Sequence, residues 1–539
     1  MPNGQGQAVV AAAGVCVAYC VPLTIDCWGV SRLAAADDRF AAPDGPISVE
    51  QVRQEASASV RWSAAAVIGR QFPQMVAALV LARVLGPETY GVISAATVYV
   101  TFTTLLLDQG LASALVQLPN PGRRLAGAVA TVNILAAIIV GGLTAGLSSQ
   151  VAAFFNAPDL APLLAVLGAG LLLKGLAITP RAMLQRQLRF RVIGQTDIAG
   201  GMIGATAGII AVLTGSGIWS MAWMVLATDT VIAALMLLAG RGAAAPNLHL
   251  GELREILPFS LRVFGSNALA FLSRNTDNIL IGRFLGVGAL SLYSMSYRVL
   301  VVPVQMIGQT VNRVVFPMFA RLQDRVDLVA KGLLRAMDVL ALAAIGPMVL
   351  VSVAAPELLG LVLGPAWAPA APILTVLAIA GAKETVFYVT GPLMRARGAG
   401  KLIIRYELLA TVVQVGGIVV GLNGGVLGVA WGWTIAGFVL MPVQLLIQRR
   451  MCGVRLGEQL GRILPHAHAS AWGAAAYLAV RLAGAGQVWT LVGGTLAYLL
   501  VVLAVLRFVH RKAFTRSLAA AAEIFRVGPG RRSAGKAPE

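Results

Sequence analysis

Charge is what this sequence has least of. Only 12% of its 539 residues are Asp, Glu, Lys or Arg, against roughly 25% in a soluble globular chain. With 58% of the residues hydrophobic, a chain of this length has nowhere to bury its apolar surface except lipid, and a soluble fold is excluded. Cysteine is scarce: Cys16, Cys20, Cys27 and Cys452 share no metal-site spacing with histidine and imply no disulfide framework. The four histidines, His249, His466, His468 and His510, lie in loops or at the ends of apolar runs. His466-Ala-His468 lacks a third ligand, so no metal is expected. No Gly-rich Lys loop of the phosphate-binding type occurs, so this chain encodes no nucleotide motor, and no cofactor is expected. Long polar stretches are missing between the apolar runs, which leaves no domain outside the membrane to house a glycan polymerase or ligase.

What is present is a series of apolar segments, each long enough to cross a hydrocarbon core as a helix. They run near 62–82, 91–112, 126–147, 160–180, 192–213 and 217–239. After a polar break they resume near 258–281, 290–312, 336–354, 370–392, 406–422, 426–447, 468–482 and 488–506. Continuous apolar runs argue against an outer-membrane barrel, whose strands alternate. The expectation is an all-α membrane protein of about 14 transmembrane helices. It divides into an N-terminal extension (1–56), a first six-helix lobe (57–240), a cytoplasmic linker (241–257) and a second lobe (258–448). Two further helices (449–510) and a basic tail (511–539) complete the chain.

The formal net charge of +19 is carried between the apolar segments, so it reports membrane orientation rather than nucleic-acid binding. Alternate loops hold twenty basic residues: Arg123, Arg124, Arg181, Arg186, Arg189, Arg191, Arg241, Arg254, Arg321, Arg325, Lys331, Arg335, Arg395, Arg397, Lys401, Arg405, Arg449, Arg450, Arg455 and Arg462. The opposite loops hold Arg83, Arg283 and Arg481. The basic face is expected to be cytoplasmic, with both ends of the fourteen-segment core inside and the protein in the bacterial inner membrane. Ala8 to Ile25 is apolar but has no basic residues before it, a poor match to a signal peptide; residues 1–56 are unassigned.

The two halves overlay at an offset of 200 residues. Arg83-Val-Leu-Gly86 matches Arg283-Phe-Leu-Gly286, and Ser94 matches Ser294. A fainter echo places Pro180 and its following arginines opposite Pro392, Arg395 and Arg397. Both units start from the same side, so the repeat is parallel about an axis along the membrane normal. Transporters of that design hold substrate between the halves and rock.

Several charges fall inside the apolar segments, where each costs about 2.5–3.5 kcal/mol at mid-bilayer unless it faces a bundle interior or water. Lys174, Arg262 and Arg313 lie near cytoplasmic ends, within snorkelling reach. Arg70, Arg274, Arg298 and Lys383 are deeper and are the candidate cavity cations. Asn267, Phe271, Arg274 and Asn278 share one helical face, with Asp277 three residues after Arg274, in reach of an ion pair. Two readings stand side by side: a neutralising pair, or a polar wall whose Arg274 exchanges Asp277 for a phosphate, which a guanidinium grips through two oxygens. Gln74 is the duplicate of Arg274. Among the acids, Asp108, Asp338 and Glu407 lie toward helix ends, where water reaches them. Asp197 and Asp229 lie inside segments, and Lys383-Glu384 are adjacent. Asp277 and Glu384 are candidates for ion coupling. The excess of deep cations favours an anionic substrate.

The segments Ala82-Arg-Val-Leu-Gly-Pro-Glu-Thr-Tyr-Gly91, Asp108-Gln-Gly-Leu-Ala-Ser-Ala-Leu115, Asn275-Thr-Asp-Asn-Ile-Leu-Ile-Gly-Arg-Phe-Leu-Gly286 and Tyr293-Ser-Met-Ser-Tyr297 carry a resemblance. The chain resembles the polysaccharide-transporter (Wzx-like) branch of the multidrug/oligosaccharidyl-lipid/polysaccharide exporter superfamily over about 57–510. The resemblance implies two six-helix lobes forming a V, alternating access, and a polyprenyl-pyrophosphate-linked oligosaccharide as substrate. It also implies a cationic cavity that holds the pyrophosphate while the lipid tail stays in the bilayer. Arg274, Asp277 and Asn278 match the polar seventh helix of that branch. The implied partners are membrane lipids, a polysaccharide polymerase and glycosyltransferases. A peptidoglycan-precursor flippase would share the anionic head group, whereas a drug antiporter of the sister branch would call for an acidic cavity.

Overall fold

The computed structural model describes residues 49–526 apart from 108–109, 119–121, 241–244, 323–324 and 485. Within these, the side chains of 49–68, 250, 255, 300–303, 305–314, 317 and 521–526 are not described. Asp108, Arg241, the Arg313 side chain and most of the N-terminal extension therefore lie outside the described residues, as does the end of the tail.

Among the described residues every regular element is a helix. The first lobe contains α1 (Val49–Leu107), α2 (Leu111–Gln117), α3 (Arg123–Gly146), α4 (Ser148–Phe154), α5 (Leu160–Arg186), α6 (Phe190–Leu213) and α7 (Trp219–Ala239). The second contains α8 (Leu253–Phe284), α9 (Val287–Arg321), α10 (Val326–Val362), α11 (Ala371–Phe387), α12 (Thr390–Ala396), α13 (Gly400–Gly421) and α14 (Gly425–Cys452). Then come α15 (Leu456–Leu482), α16 (Gln487–Ala504) and α17 (Arg511–Arg526). Each of the fourteen apolar segments has a helix at its centre. Among the described residues ten stretches are long and apolar enough to cross a membrane, and two of these, Gly69–Leu107 and Gly400–Cys452, each hold most of two of the segments.

The duplication is visible in backbone geometry. Within α1, Gly86 (φ 73°, ψ 173°) breaks the helix into two spans, with Pro87 opening the second. Gly286, between α8 and α9, adopts nearly the same conformation (φ 90°, ψ 170°). An L side chain is strained at such φ, and proline suits a first helical turn. The turn between α5 and α6 has its own copy between α12 and α13. Leu188 (φ 56°) corresponds to Gly398 (φ 64°). The hydrogen bonds agree one by one: Leu188 N to Gln185 O, Arg189 N to Leu184 O and Phe190 N to Leu188 O match Gly398 N to Arg395 O, Ala399 N to Met394 O and Gly400 N to Gly398 O.

Packing follows the same plan in each lobe: α3 on α5 answers α10 on α11, and α6 on α7 answers α13 on α14. The second hairpin is drawn together by glycine. A Cβ on Gly417 would lie 2.5 Å from the Gly432 carbonyl oxygen, so the two backbones touch directly, as small residues permit between membrane helices. The plan breaks at the first helix. The first half of α1 packs along α6, with Gly69 against Ile198 and Gly201 against Arg70, whereas α8 touches α13 only lightly. Its arginine-rich end rests instead on the first lobe, where Ile256, Leu253 and Phe259 join Leu111, Leu115 and Leu125. The pair α15–α16 lies against α10.

Candidate functional site

A polar cluster forms where α8, α9, α11 and α14 meet. Asp277 is 5% exposed; it accepts a hydrogen bond from the Tyr293 hydroxyl at 3.0 Å and from the Asn278 backbone N–H at 2.7 Å. Tyr293 and Tyr297, one turn apart on α9, stack with ring centroids 6.1 Å apart. Trp433 of α14 meets Tyr297 edge-on at 6.0 Å. Tyr297 lies within electrostatic reach of Asp277 and Arg274 of α8 and of Glu384 of α11, so one ring gathers charges from two other helices.

The pair offered by helical spacing does not form. Arg274 is exposed and makes no ion pair with a described carboxylate. Asp277 is turned away to the Tyr293 hydroxyl, and two hydrogen bonds to neutral donors replace the salt bridge. Asn278 is half-buried on the Arg274 face. Lys383, with 4% of its side chain exposed, binds Glu384 at 2.8 Å. It is thus a closed, neutralised group rather than an open cavity cation, and burial of an unpaired ammonium is what the pairing avoids. Arg298 is half-buried, without an ion partner among the described residues, and no described contact joins it to the cluster. Arg70 belongs to the first lobe: its stem lies against Gly201 of α6, and it too has no ion partner among the described residues.

Other charged groups named from the sequence have partners that spacing did not indicate. Lys174 is not snorkelling. It lies 3.7 Å from Asp229 of α7 and donates to Thr104 of α1 at 3.2 Å. Arg181 grips Asp197 with two bonds, of 2.8 and 2.7 Å. Asp338 is 2% exposed rather than solvated, because Arg462 of α15 closes on it and Arg516 of α17 lies 3.9 Å away. His466 is buried against Ser517 at 3.1 Å, and His468 meets His510 at 3.0 Å. Tyr293 and Tyr297 stood in a recognised motif, and their spacing of four put them on one face. Trp433 gave no such signal.

This fold is that of multi-spanning transporters. A structure of the lipid II flippase MurJ in an inward closed conformation superposes with a TM-score of 0.67 at 15% identity, covering 84% of this chain and 99% of that one. An inward-facing multidrug-resistance MATE transporter gives 0.56 at 17% identity, over 72% and 98%. Residues 80–372 match the family described as "Polysaccharide biosynthesis protein", and the chain belongs to it, within the polysaccharide-transporter branch of the multidrug/oligosaccharidyl-lipid/polysaccharide exporter superfamily. It is 25% identical to the lipopolysaccharide biosynthesis protein WzxC of Escherichia coli over 394 residues, 71% of this chain and 79% of that one. The succinoglycan biosynthesis transport protein ExoT of Rhizobium meliloti is 26% identical over 70% of this chain and 76% of its own. The teichuronic acid biosynthesis protein TuaB of Bacillus subtilis is 27% identical over 63% and 71%.

Proposed function

We propose that this protein flips a polyprenyl-pyrophosphate-linked oligosaccharide from the cytoplasmic to the outer leaflet of the cytoplasmic membrane, by alternating access, for surface polysaccharide biosynthesis. The observation that carries the reading is Arg274: an exposed guanidinium in the span of α8, with its potential partner Asp277 bound elsewhere. An arginine left open inside a membrane protein calls for a mobile anion, and a guanidinium fork suits phosphate. The aromatic column of Tyr293, Tyr297 and Trp433 beside it is a surface of the kind on which sugar rings rest.

The loose seat of α8 supports the same reading. Leu257, Leu261, Leu269 and Leu272 are about half exposed or more along it, while Arg262, Ser266 and Arg274 are exposed as well. A helix with both an apolar and a polar face uncovered suits a substrate with a lipid tail and a charged head. Coupling to an ion is assigned to Asp277 and Glu384, the acids nearest Tyr297.

The test is translocation of a fluorescent polyprenyl-pyrophosphate sugar in vesicles, with Arg274→Ala and Asp277→Asn. Both variants are expected to lose most of the wild-type rate. Unchanged rates in both would remove α8 from the mechanism, and export of cationic drugs without movement of the lipid would favour the antiporter reading instead.

A further inference from the structure

The three basic residues on the arginine-poor face have no role yet, and each one is held by a helix end or a carboxylate. Arg83, at the end of the first span, donates to the carbonyls of Leu361 and Val362, both at 2.7 Å, at the C-terminus of α10 in the other lobe. Arg283, its duplicate at the end of α8, donates to Phe154 O at 3.2 Å, the C-terminus of α4 in the first lobe, and its guanidinium lies 5.3 Å from the Phe154 ring. The same crossing recurs one residue earlier. Trp367 of the second lobe donates to Ala82 O at 3.0 Å, and Phe155 of the first packs on Gly282, where a Cβ would stand 2.7 Å from the ring. At the centre, Ser294 donates to its own duplicate Ser94 at 3.0 Å, which places both beside the two-fold axis. A Cβ at Gly91 would lie 2.2 Å from Val287 O, so the lobes touch backbone to backbone.

We propose that Arg83 and Arg283 are a matched pair of latches that hold the arginine-poor side shut. Each caps the negative end of a helix in the opposite lobe. The inference rests on the alternating-access reading, to which it adds the residues that close one side. Both latches are exposed, so each guanidinium and its carbonyls find water when the lobes part, and the closure is weak by design: about twofold to fivefold in population per latch. Arg481 is a different kind of contact. It pairs with Glu357 at 2.6 Å, joining α15 to α10, two helices packed along each other on the same side of the lobe contact. Ser294 follows Tyr293, whose hydroxyl holds Asp277, so the axis and the polar cluster sit on the same turn of α9.

The test uses the full chain with Cys16, Cys20, Cys27 and Cys452 replaced and Ser94→Cys introduced, in vesicles. A membrane-impermeant maleimide is applied from the arginine-poor side. Arg83→Ala and Arg283→Ala are each expected to raise the labelling rate a few-fold and, together, about tenfold, while Arg481→Ala leaves it unchanged. Unaltered labelling in the double variant, or an equal rise with Arg481→Ala, would overturn the proposal. A second variant, Ser94→Cys with Ser294→Cys, forms a disulfide on oxidation that is expected to stop transport and release it on reduction; full transport by the oxidised protein would show that the seal never opens. Labelling needs no substrate. A protein that gates as described but moves no lipid-linked sugar would therefore sink the flippase reading and leave the latches standing.

Discussion

The two lobes descend from one plan but hold several of their charges differently. In the first lobe, Arg181 is closed on Asp197 and Lys174 stands beside Asp229, and its opening span is packed along α6. In the second, Arg274 has no ion partner among the described residues, and the opening helix α8 stands off from α13. One substitution pattern shows how they diverged. In the register set by Leu188 and Gly398, Lys174 corresponds to Glu384, the residue next to Lys383 on the fourth span of the second lobe. Trp223 and Trp431 mark the sixth spans, and in that register Asp229 corresponds to Gly437. A Cβ at Gly437 would lie 3.7 Å from both the Lys383 ammonium and the Glu384 carboxylate. The first lobe thus neutralises its lysine from a neighbouring helix; the second lacks that acid and uses the next residue in the chain. A lobe with charges bonded across helices and a packed opening span is a frame; the other has a loosely seated opening helix and an arginine without an ion partner among the described residues.

That contrast can be broken most forcefully at Asp197. Asp197→Ala leaves the part-buried Arg181 without its partner and is expected to cost about 2 kcal/mol, below the ~3–5 kcal/mol of a fully buried pair because a third of the Arg181 side chain is exposed. A fall in the temperature of half-aggregation in detergent measures it; no fall would mean that the first lobe is not held by its pairs. Arg274→Ala is expected to do the reverse, leaving stability alone and slowing translocation about tenfold to a hundredfold, the value of a charge-assisted contact of ~1.5–3 kcal/mol. Loss of stability without loss of rate would make Arg274 structural.

Gly437→Asp gives the second lobe the first lobe's acid. The new carboxylate crowds Glu384 and is expected to destabilise by about 1 kcal/mol, a loss recovered in combination with Glu384→Gln, as a double-mutant cycle would show. If the single substitution is neutral, Lys383 has room for both acids. The smallest effect is expected at Leu188, which holds a left-handed conformation that its duplicate Gly398 adopts freely. Leu188→Gly should gain up to ~1 kcal/mol, read as a small rise in thermal stability with unchanged transport.

Much of this was legible in the residues. Helices, their number class and the asymmetry of basic residues between faces follow from apolar run length and loop composition, which are local properties of the chain. The repeat was visible because Gly86 and Gly286 must both be glycine-like at a left-handed turn. The partners of the buried charges were not legible. Helical spacing put Asp277 within reach of Arg274, yet the Tyr293 hydroxyl on another helix holds it. Lys174 looked free to snorkel until α7 brought Asp229 to it.

That the chain crosses a membrane many times, in two repeated halves with basic residues gathered in alternate loops, follows from residue order alone, because desolvation penalties act on each segment separately. Tertiary packing alone decided which charges are closed and which stay open, and that Arg83 and Arg283 reach across to each other's lobe. Contacts between residues 129 and 279 positions apart depend on how helices are seated against one another, which no local pattern encodes.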